Sequence, residues 1–514
     1  MPGPESSLCG CIGFMMKPNP RKILLVEPPF YRLFKNTYSL ARYPLALGYL
    51  AGEIKRNTIW NVMVYNADFH PRNESIKVSY LSGIGFNKYL ENLTDLSGEI
   101  WKEIEQTIAE YNPSIVGISA KSQNFKSARR VAELVKKNNK DTLVIMGGPH
   151  PSLVGEDLLD YPEIDICVKN EGEKTIVELL GAIDNQTALH NVNGIVCREE
   201  GEVVETPPRE FIENLDTLCF PHEHAPEVLK DYEQYPKTAF RSVFATRGCP
   251  YNCFFCGSRN VWGRKVRFRS PENVAREIGG LLKLGLKFIH FDDDTFGVNK
   301  QYIADLCRAL MRYSPGLKWG CEAHPKLMDD QVVALMKAAG CFHIQIGVES
   351  GNNEILSAMR KNITIEEALE ACKIVKRQGL ELQAFFIVGY PQETEETLQD
   401  TITAMKNVKC DVLTYSIFTP YPGTEAFEYC MMNGLIGDDY DVALYNHQSP
   451  ANHFCLNITQ GRFRELVSDV EKSVDRKFRA HRLRRLCSLS VFKRIQELGI
   501  GASLKRGLDL MAGK

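Results

Sequence analysis

The chain has 514 residues, of which 44 % are apolar and 25 % charged, and its formal net charge is −2. These values are typical of a soluble globular protein with room for two to four domains. A net charge this small gives no global field that favours nucleic acid as a partner. No apolar run reaches the roughly 18 residues that a membrane-spanning helix needs, and the N-terminus lacks a secretion-signal pattern. We therefore expect a cytoplasmic protein whose cysteines are reduced.

The first predicted domain, residues 20–185, alternates apolar strands with helices. This alternation favours a parallel sheet covered on both faces, which predicts a Rossmann-like (flavodoxin-like) α/β fold. Such a sheet binds ligands beside the carboxyl ends of its strands. The sequence places proline and glycine turns at those ends, at Pro28, Pro29, Gly147 and Gly148.

The hydrophobic periodicity divides the rest of the chain into a connector and a second domain. Residues 186–240 have little regular patterning and are interpreted as a connector. A second alternation covers 241–430, where helical segments separate six strand-like segments. Six parallel strands joined by right-handed crossovers form either an open sheet or a partial (β/α)6 barrel of the TIM type. The catalytic face of such folds is the carboxyl end of the strands, where this region carries polar and glycine-rich turns.

Three cysteines, Cys249, Cys253 and Cys256, follow the first of these strands with the spacing C-x3-C-x2-C. A structural zinc site would need a fourth ligand, and the next cysteine and histidine are as distant as Cys307 and His290. Thiolates also hold iron–sulfur clusters, in which four irons take four ligands. Three thiolates leave one iron open, so the loop predicts a cluster with a free position for a substrate or cofactor. Zinc is the alternative.

This spacing, with the aromatic Phe255 directly before the last cysteine, resembles the hallmark of the radical S-adenosylmethionine (SAM) superfamily. The resemblance covers about 241–430, where later motifs follow in the family's order. It implies a [4Fe–4S] cluster on the three cysteines, with SAM chelated to the open iron beside Phe255. It also implies reductive release of a 5′-deoxyadenosyl radical, with electrons from a donor such as flavodoxin or ferredoxin. The protein's part in such chemistry is positioning and exclusion of water.

The resemblance further implies SAM contacts at the ends of later strands. The acidic segment Asp292, Asp293 and Asp294 matches the part of the family that faces the methionine ammonium, with a helix cap as the alternative. Glu349, in GVESG, matches a ribose or methionine contact, again with a capping role as the alternative.

Two other strand ends complete this comparison with the family. Gly389 and Pro391, in IVGYPQET, resemble the family's turn beside adenine. After the third strand many relatives carry an arginine that pairs with the methionine carboxylate, whereas this chain offers His324. A neutral histidine is a weaker anion partner than arginine, so the resemblance is weakest at this position.

The turns GGPHPS and NEGEKT of the first domain resemble the cobalamin-binding branch of the superfamily. That branch includes methylases of unactivated carbons and the anaerobic protoporphyrin ester cyclase. The resemblance implies cobalamin in the domain at 20–185. It places Ser119, Gly147 and Gly148 beside the nucleotide tail, because small residues let the backbone approach closely. A packed domain without a cofactor is the alternative.

The segment DFHPRN, Asp68 to Asn73, nearly matches the D-x-H-x-x-G motif by which some cobalamin proteins place a histidine below cobalt. In those proteins the motif follows the first strand. Here it follows the second, and Asn73 replaces the glycine. We therefore interpret His70 as a surface loop residue and expect cobalamin to bind without a protein histidine below cobalt.

The C-terminal region, 431–514, is predicted to be helical, and its last part, 461–514, holds 14 lysines and arginines against 6 acidic residues. A basic helix with interleaved apolar residues suits peripheral binding to the inner face of an anionic membrane, and it would favour a lipid-like substrate. The candidates for insertion are Phe463, Phe478, Leu486 and Phe492. A lid packed on the second domain, with its charges in solvent, is the alternative.

Two classes of function remain open. The first is an enzyme acting on a small-molecule or lipid-like substrate, by cobalamin-dependent radical methylation of an unactivated carbon. Radical oxidation or cyclisation without methyl transfer is a second enzyme interpretation. The other class is a non-catalytic cobalamin or cluster sensor. The separate SAM motifs favour an enzyme, because a sensor needs no such pocket.

Overall fold

The computed structural model describes residues 21–486, apart from 73, 75, 77, 82, 200 and 448. Asn73 and the last part of the predicted basic tail, 487–514 with Phe492, lie outside the described residues. Within the described part of the chain, no helix is long and apolar enough to cross a membrane.

The N-terminal half contains, in chain order, β1 (Lys22–Glu27), α1 (Tyr31–Phe34), α2 (Leu45–Asn57), β2 (Asn61–Asn66), α3 (Val78–Leu81), α4 (Ile84–Thr94), α5 (Glu99–Tyr111), β3 (Ile115–Ser119), α6 (Phe125–Asn138), β4 (Leu143–Gly147), α7 (Pro149–Val154), β5 (Ile166–Val168), α8 (Gly172–Asn185), β6 (Ile195–Glu199), β7 (Glu202–Glu205) and α9 (Pro221–Val228).

The C-terminal half contains β8 (Ser242–Val243), β9 (Thr246–Arg247), α10 (Ser258–Trp262), β10 (Arg267–Phe268), α11 (Pro271–Lys283), β11 (Phe288–Phe296), α12 (Lys300–Tyr313), β12 (Lys318–Ala323), α13 (Asp330–Ala338), β13 (Cys341–Glu349), α14 (Asn353–Ala358), α15 (Ile365–Arg377), β14 (Glu381–Val388), α16 (Glu395–Asn407), β15 (Val412–Ile417), α17 (Glu425–Met432) and α18 (Gln460–Leu486).

The N-terminal sheet has the strand order β2-β1-β3-β4-β5-β6-β7, and its first five strands are parallel. This is the flavodoxin-like order, so the predicted fold of the first domain is confirmed. The strands are continuous apolar runs, as β3 shows by being buried throughout, because helices cover both faces of the sheet. The order reverses between β1 and β3, which places the ligand-binding crevice beside their carboxyl ends.

The sheet extends further along the chain than the sequence indicates. Strands β6 and β7 are antiparallel to their neighbours and lie inside the stretch 186–240 that we interpreted as a connector. That interpretation was wrong for this hairpin, because β6 is buried at Ile195, Val196 and Cys197 and belongs to the core. The hairpin was missed because β7, Glu-Val-Val-Glu, is short and largely exposed and therefore lacks the apolar pattern of the other strands.

The second sheet has the order β15-β14-β13-β12-β11-β8 and is parallel throughout. Among the described residues β15 and β8 do not pair, so the barrel is partial and open, as predicted. Its strands alternate in burial, most clearly in β14, because one face packs on helices and the other lines the interior of the curve.

Helix α18 covers the edge of this sheet. Phe463, Leu466 and Val470 of α18 are buried in the same core as the barrel strands. Phe463 is 2 % exposed and cannot insert into a membrane, which corrects that part of the membrane interpretation. Phe478 is 41 % exposed. The first part of the tail, residues 463–470, therefore packs on the barrel, as the lid interpretation expected.

Candidate active site

The three cysteines lie in a loop that begins directly after β9. Gly248 opens the loop with φ +98°, and a Cβ atom there would lie 2.5 Å from the carbonyl oxygen of Lys265, so glycine is required. The backbone of Phe254 anchors the loop. Its N–H donates to the carbonyl of Met359 (2.9 Å), and its carbonyl accepts from the N–H of Ala426 (3.2 Å). All three cysteines are half-buried, so the loop presents its thiols to the interior without sealing them in.

The thiols fit a metal cluster by their chemistry. Burial raises the pKa of Cys253 to about 11 and also raises the pKa of Cys256, while the nearby Lys361 ammonium lowers both. Thiols bind metals in the deprotonated form, and the positive charge of the metal stabilises a thiolate that burial alone would disfavour. Among the described residues, no three Cys, His, Asp or Glu side chains converge closely enough to hold a single metal ion. A multi-iron cluster suits this spacing better than zinc, because each thiolate then binds a separate iron.

Asp293 supports the cysteine loop from behind. Its carboxylate is 2 % exposed and accepts hydrogen bonds from the N–H groups of Ala245 (2.8 Å) and Thr246 (3.2 Å). The Thr246 hydroxyl donates to its second oxygen (2.9 Å). Burial raises the pKa of Asp293 to about 7. Because its oxygens already bind the strand that leads into the loop, its place in the structure is that of a backbone support.

The other two aspartates of this segment diverge. Asp292 faces the interior of the sheet, where its Oδ1 lies 2.6 Å from His290 Nδ1. Asp294 accepts a hydrogen bond from the hydroxyl of Ser258 (2.7 Å), two residues beyond Cys256. Of the three aspartates, Asp294 thus lies beside the cysteine loop. The contact of this segment with the SAM ammonium stays a prediction.

Glu349 ends β13 in a strained conformation. Its φ is +67°, in the left-handed region that side chains other than glycine rarely adopt, and such strain concentrates at functional sites. Its Oε1 lies 2.7 Å from Lys361 Nζ, and both side chains are nearly buried. Lys361 in turn interacts electrostatically with Cys253 and Cys256. The structure therefore brings Glu349 to the cysteine loop through a lysine that the sequence analysis did not single out.

His324 supports the loop instead of offering a free cation. Its ring stacks on Tyr251 with centroids 3.9 Å apart. Nδ1 accepts from the N–H of Lys326 (3.3 Å), so the Nε2–H donates to the carbonyl of Lys361 (3.3 Å). Burial and the Lys361 charge lower the pKa of His324 to about 3. With a neutral ring and both nitrogens engaged, the geometry gives no support to the predicted contact with the SAM carboxylate.

The turn after β14 is buried and rigid. Gly389 has φ +82°, and a Cβ atom there would lie 2.7 Å from the ring of Phe463. The buried carboxylate of Glu393 accepts from the N–H groups of Gly389 (2.6 Å) and Tyr390 (3.0 Å), and burial raises its pKa to about 7. Pro391 lies in the same turn and is also buried. Contact of Gly389 and Pro391 with adenine stays a prediction.

The three residues predicted beside cobalamin meet at the carboxyl edge of the N-terminal sheet. Ser119 ends β3 and is paired in register with Gly147, which ends β4. Gly148 follows with φ +111°, and a Cβ atom there would lie 2.8 Å from the carbonyl oxygen of Ala120. The two glycines leave backbone, not side chain, beside the crevice where the strand order reverses, which fits a bulky cofactor.

The near-motif at 68–73 does not form a histidine–aspartate pair. Asp68 accepts from the N–H groups of Phe30 (2.8 Å) and Arg32 (3.0 Å), in the turn after β1. Its enclosure raises its pKa to about 7. His70 lies partly exposed in the loop after β2, and its Nδ1 accepts from the N–H of Arg72 (3.2 Å). This is the loop position that the sequence predicted for His70.

A buried ion-pair network joins the two domains beside the cysteines. Glu171, directly before α8, binds Arg247 through one oxygen (2.7 Å) and Arg267 through the other (2.8 Å). Glu173 binds a second nitrogen of Arg247 (2.6 Å). The side chains in these pairs are at most 7 % exposed. Because Arg247 lies two residues before Cys249, the N-terminal domain directly holds the strand that carries the cysteine loop.

A three-cysteine loop on an open parallel barrel, joined to a flavodoxin-like domain, defines a radical SAM enzyme with a cobalamin-binding domain. Residues 44–180 match the B12 binding domain, and residues 243–405 match the Radical SAM superfamily. The chain is 32 % identical over 424 residues to the uncharacterized methyltransferase PH0819 of Pyrococcus horikoshii, covering 81 % of this chain and 84 % of that relative. The chain therefore belongs to the cobalamin-binding radical SAM family of enzymes.

Two other comparisons agree with this family. The anaerobic magnesium-protoporphyrin IX monomethyl ester cyclase of Rubrivivax gelatinosus is 28 % identical over 396 residues, which is 73 % of this chain and 68 % of the cyclase. The solved structure of the methyltransferase TsrM from Kitasatospora setae has the same fold, with a TM-score of 0.66 at 19 % identity over 88 % of this chain and 89 % of TsrM. The predicted fold class is confirmed. So are the family's cofactors, a [4Fe–4S] cluster, SAM and cobalamin.

Proposed function

We propose that this enzyme methylates an unactivated carbon by a cobalamin-dependent radical mechanism, with the cluster held by Cys249, Cys253 and Cys256. One observation carries the proposal: the carboxyl edges of the two sheets adjoin at the cysteine loop. Asn170, which follows β5, donates its Nδ2 hydrogens to the carbonyls of Asn260 (2.8 Å) and Val261 (3.0 Å), just beyond the last cysteine. This contact supports the proposal, because a reaction that uses both cofactors requires the two proposed cofactor sites to lie close together.

The residues around the loop have distinct tasks in this proposal. When bound, the reduced cluster with SAM supplies a 5′-deoxyadenosyl radical and cobalamin supplies a methyl group. Lys361 balances the charge of the thiolates, and Glu349 fixes Lys361. Tyr251, stacked on His324, keeps the loop in shape. The arrangement holds the reacting groups in place and limits the access of water.

A cavity at the edge of the barrel is a candidate entrance for the substrate. A cavity of about 650 Å³ lies at the open edge of the barrel, between β15, the segment around Asn452 and α18. Ser416 lines it from the strand, and His447 lines it next to the N-terminal domain, where its ring lies against Phe30. The cavity can therefore admit a small molecule from the side of the barrel.

The test is product analysis on anaerobically reconstituted full-length protein supplied with cobalamin, SAM and a reductant. A methylase should form both S-adenosylhomocysteine and 5′-deoxyadenosine. A second candidate is radical oxidation or cyclisation without methyl transfer, which the similarity to the Rubrivivax gelatinosus cyclase favours. It should form 5′-deoxyadenosine alone. If neither product forms, a non-catalytic sensor is the interpretation that remains.

The partners follow from the same proposal. The substrate is a small molecule, and a flavodoxin or ferredoxin supplies the electrons. A lipid-like substrate and peripheral membrane contact through 461–514 stay predictions, and the burial of Phe463 weakens their support. Vesicle flotation tests them: the full chain should float with anionic vesicles at low salt and release at high salt. If it floats at no salt concentration, membrane contact through 461–514 is excluded.

A further inference from the structure

The interior of the partial barrel carries a layer of polar side chains. Glu322 of β12, Gln345 of β13 and Gln383 of β14 lie side by side in the parallel register. Asp292 of β11 is next to them, one residue beyond the Phe291–Cys321 pair. Barrel interiors are normally filled by branched apolar side chains. A polar layer across four adjacent strands, directly below the strand ends of the site, is therefore a departure that needs a ligand or water.

Most of this layer is hydrogen-bonded within itself. His290 Nδ1 lies 2.6 Å from Asp292 Oδ1, and its Nε2 lies 2.9 Å from Gln345 Nε2. These distances fit an Nδ1–H donated to the carboxylate and an Nε2 that accepts from the amide. Gln383 donates its Nε2 hydrogen to Thr414 Oγ1 (2.8 Å). Each of these amides uses one N–H in these contacts, and its oxygen accepts no hydrogen bond among the described residues.

Two opposite charges at this layer have no partner. Within the described part of the chain, the side chains of Glu322 and Arg42 form no hydrogen bond or ion pair, and both residues are exposed. Arg42 comes from the N-terminal domain and interacts electrostatically with Glu322 and with Asp292. Arg241 adds a second positive charge near Arg42 and Asp292. A cation from one domain thus faces an anion from the other, too far apart for direct pairing.

The backbone holds Arg42 in this place. Ala41, the preceding residue, has φ +45°, a left-handed conformation that costs a residue with a Cβ atom about 1 kcal/mol or more. The carbonyl of Arg42 accepts from Asn66 Nδ2 (2.9 Å), and the next N–H, of Tyr43, donates to the carbonyl of Ala239 (3.1 Å). The strained backbone is therefore fixed on both sides of a side chain that forms no hydrogen bond or ion pair with any described residue.

We infer that Glu322 and Arg42 bind the two poles of a zwitterionic substrate, with its ammonium at Glu322 and its carboxylate, or another anion, at Arg42. This inference rests on the proposed function, since it assigns the substrate class of that same site. Ammonium and carboxylate groups suit these partners because charge-assisted hydrogen bonds are stronger than neutral ones. The remaining acceptors of the polar layer, such as the Gln345 oxygen, can take the other ammonium hydrogens. A wholly apolar lipid would leave both charges unpaired.

Three probes of matched length test this inference: norleucine with both charges, pentylamine with the cation alone and hexanoate with the anion alone. Their dissociation constants are measured by saturation-transfer NMR on the reconstituted full-length enzyme with SAM and cobalamin present. We expect norleucine to bind at least ten times more tightly than either single-charge probe. Glu322→Gln should abolish its advantage over hexanoate. Arg42→Gln should abolish its advantage over pentylamine.

The control variant is Glu354→Gln, which removes an exposed carboxylate on the outer helix α14 and should leave all three constants unchanged. The inference fails if the wild-type enzyme binds the three probes equally, or if both advantages survive the two substitutions. The wild-type ranking needs no variant, so it decides even if a substituted chain does not fold. Formation of 5′-deoxyadenosine is measured in the same samples. If it is absent while the ranking holds, the proposed function fails and this inference does not.

Discussion

In the N-terminal domain, Asp68 follows β2 and accepts two N–H groups from the turn after the neighbouring strand β1. In the barrel, Asp293 of β11 accepts two N–H groups from the residues after the neighbouring strand β8. Both carboxylates are largely enclosed, and each has a pKa raised to about 7. In both domains, an enclosed carboxylate that accepts two backbone N–H groups thus fixes a turn at the carboxyl edge of a sheet.

The two turns differ in what they present. The turn after β1 consists of buried prolines and the buried ring of Phe30, at the edge of the sheet where we propose that cobalamin binds. The segment held by Asp293 leads into the cysteine loop, which offers three half-buried thiols. Under the proposed function, the same support serves non-covalent cofactor binding in one domain and metal ligation in the other. Changes at each turn should affect one cofactor and spare the other, unless they reach the network between the domains.

The largest effect is expected from the cysteines. Replacing Cys249, Cys253 or Cys256 with alanine removes a proposed ligand of the cluster, so iron content and 5′-deoxyadenosine formation should fall to background. Cobalamin binding, measured by absorbance, should persist because it depends on the other domain. The control is Cys372→Ala, at a buried cysteine outside the loop. Stoichiometric zinc without iron in the anaerobically purified wild type would overturn the assignment of these ligands.

Glu171→Ala should destabilise the contact between the two domains and weaken both cofactor sites. It leaves Arg267 without its carboxylate partner and Arg247 with Glu173 alone, and an uncompensated buried charge costs about 3–5 kcal/mol. Denaturant unfolding should show this loss together with weaker binding of both cofactors. Glu213→Ala, which breaks an exposed pair with Lys265, should cost about 1 kcal/mol or less. Similar losses for the two variants would contradict a buried network.

Phe463→Ala should destabilise the barrel by about 3 kcal/mol, because it empties a buried position against Gly389. The matched variant Phe478→Ala removes a ring that is 41 % exposed on the same helix and should cost less. Cobalamin affinity should not change in either variant. An equal cost for both rings would show that α18 does not pack on the barrel in solution.

Asp68→Asn and Asp293→Asn should flatten the pH dependence of stability. Each carboxyl has a folded pKa of about 7 against an ordinary value of 3.8, so the folded state holds a proton that the unfolded state has released. The free energy of unfolding therefore falls as pH rises from 4 to 7, by at most about 1.4 kcal/mol per unit for each group. Asparagine retains an acceptor oxygen without titrating. Unfolding measured at several pH values should give a smaller slope in each variant.

The smallest effect is expected at His70. His70→Ala should leave the cobalt absorption spectrum unchanged, because the ring binds the Arg72 N–H in a partly exposed loop. Thermal unfolding checks that the variant is folded. A spectral shift in a folded variant would show that the histidine reaches cobalt after all.

The sequence predicted those parts of the molecule that depend on local pattern. Apolar strands separated by helices predicted both sheets, and the cysteine spacing predicted the loop. The hairpin β6–β7 could not be predicted because its charged outer strand lacks apolar periodicity. The carboxylates of Glu171 and Glu173 were visible only as part of a turn, since their arginine partners lie more than 70 residues away.

The candidate site shows the same limit. Three successive aspartates look alike in the sequence, yet Asp292, Asp293 and Asp294 face the barrel interior, the backbone and Ser258 respectively. Lys361 carries no motif and is brought to the thiols only by the loop after α14. Long-range contacts that place a single charge cannot be derived from periodicity or spacing.

The hairpin strand β7 has a consequence for the behaviour of the whole protein in concentrated solution. It forms the outer edge of a seven-stranded sheet, and such an edge can recruit a strand from another molecule. Here the edge is four residues long and begins and ends with a glutamate, one of which is paired with Lys169. Like charges would oppose one another if two such edges met. The charged strand that made the hairpin hard to predict therefore protects the enzyme against edge-to-edge aggregation.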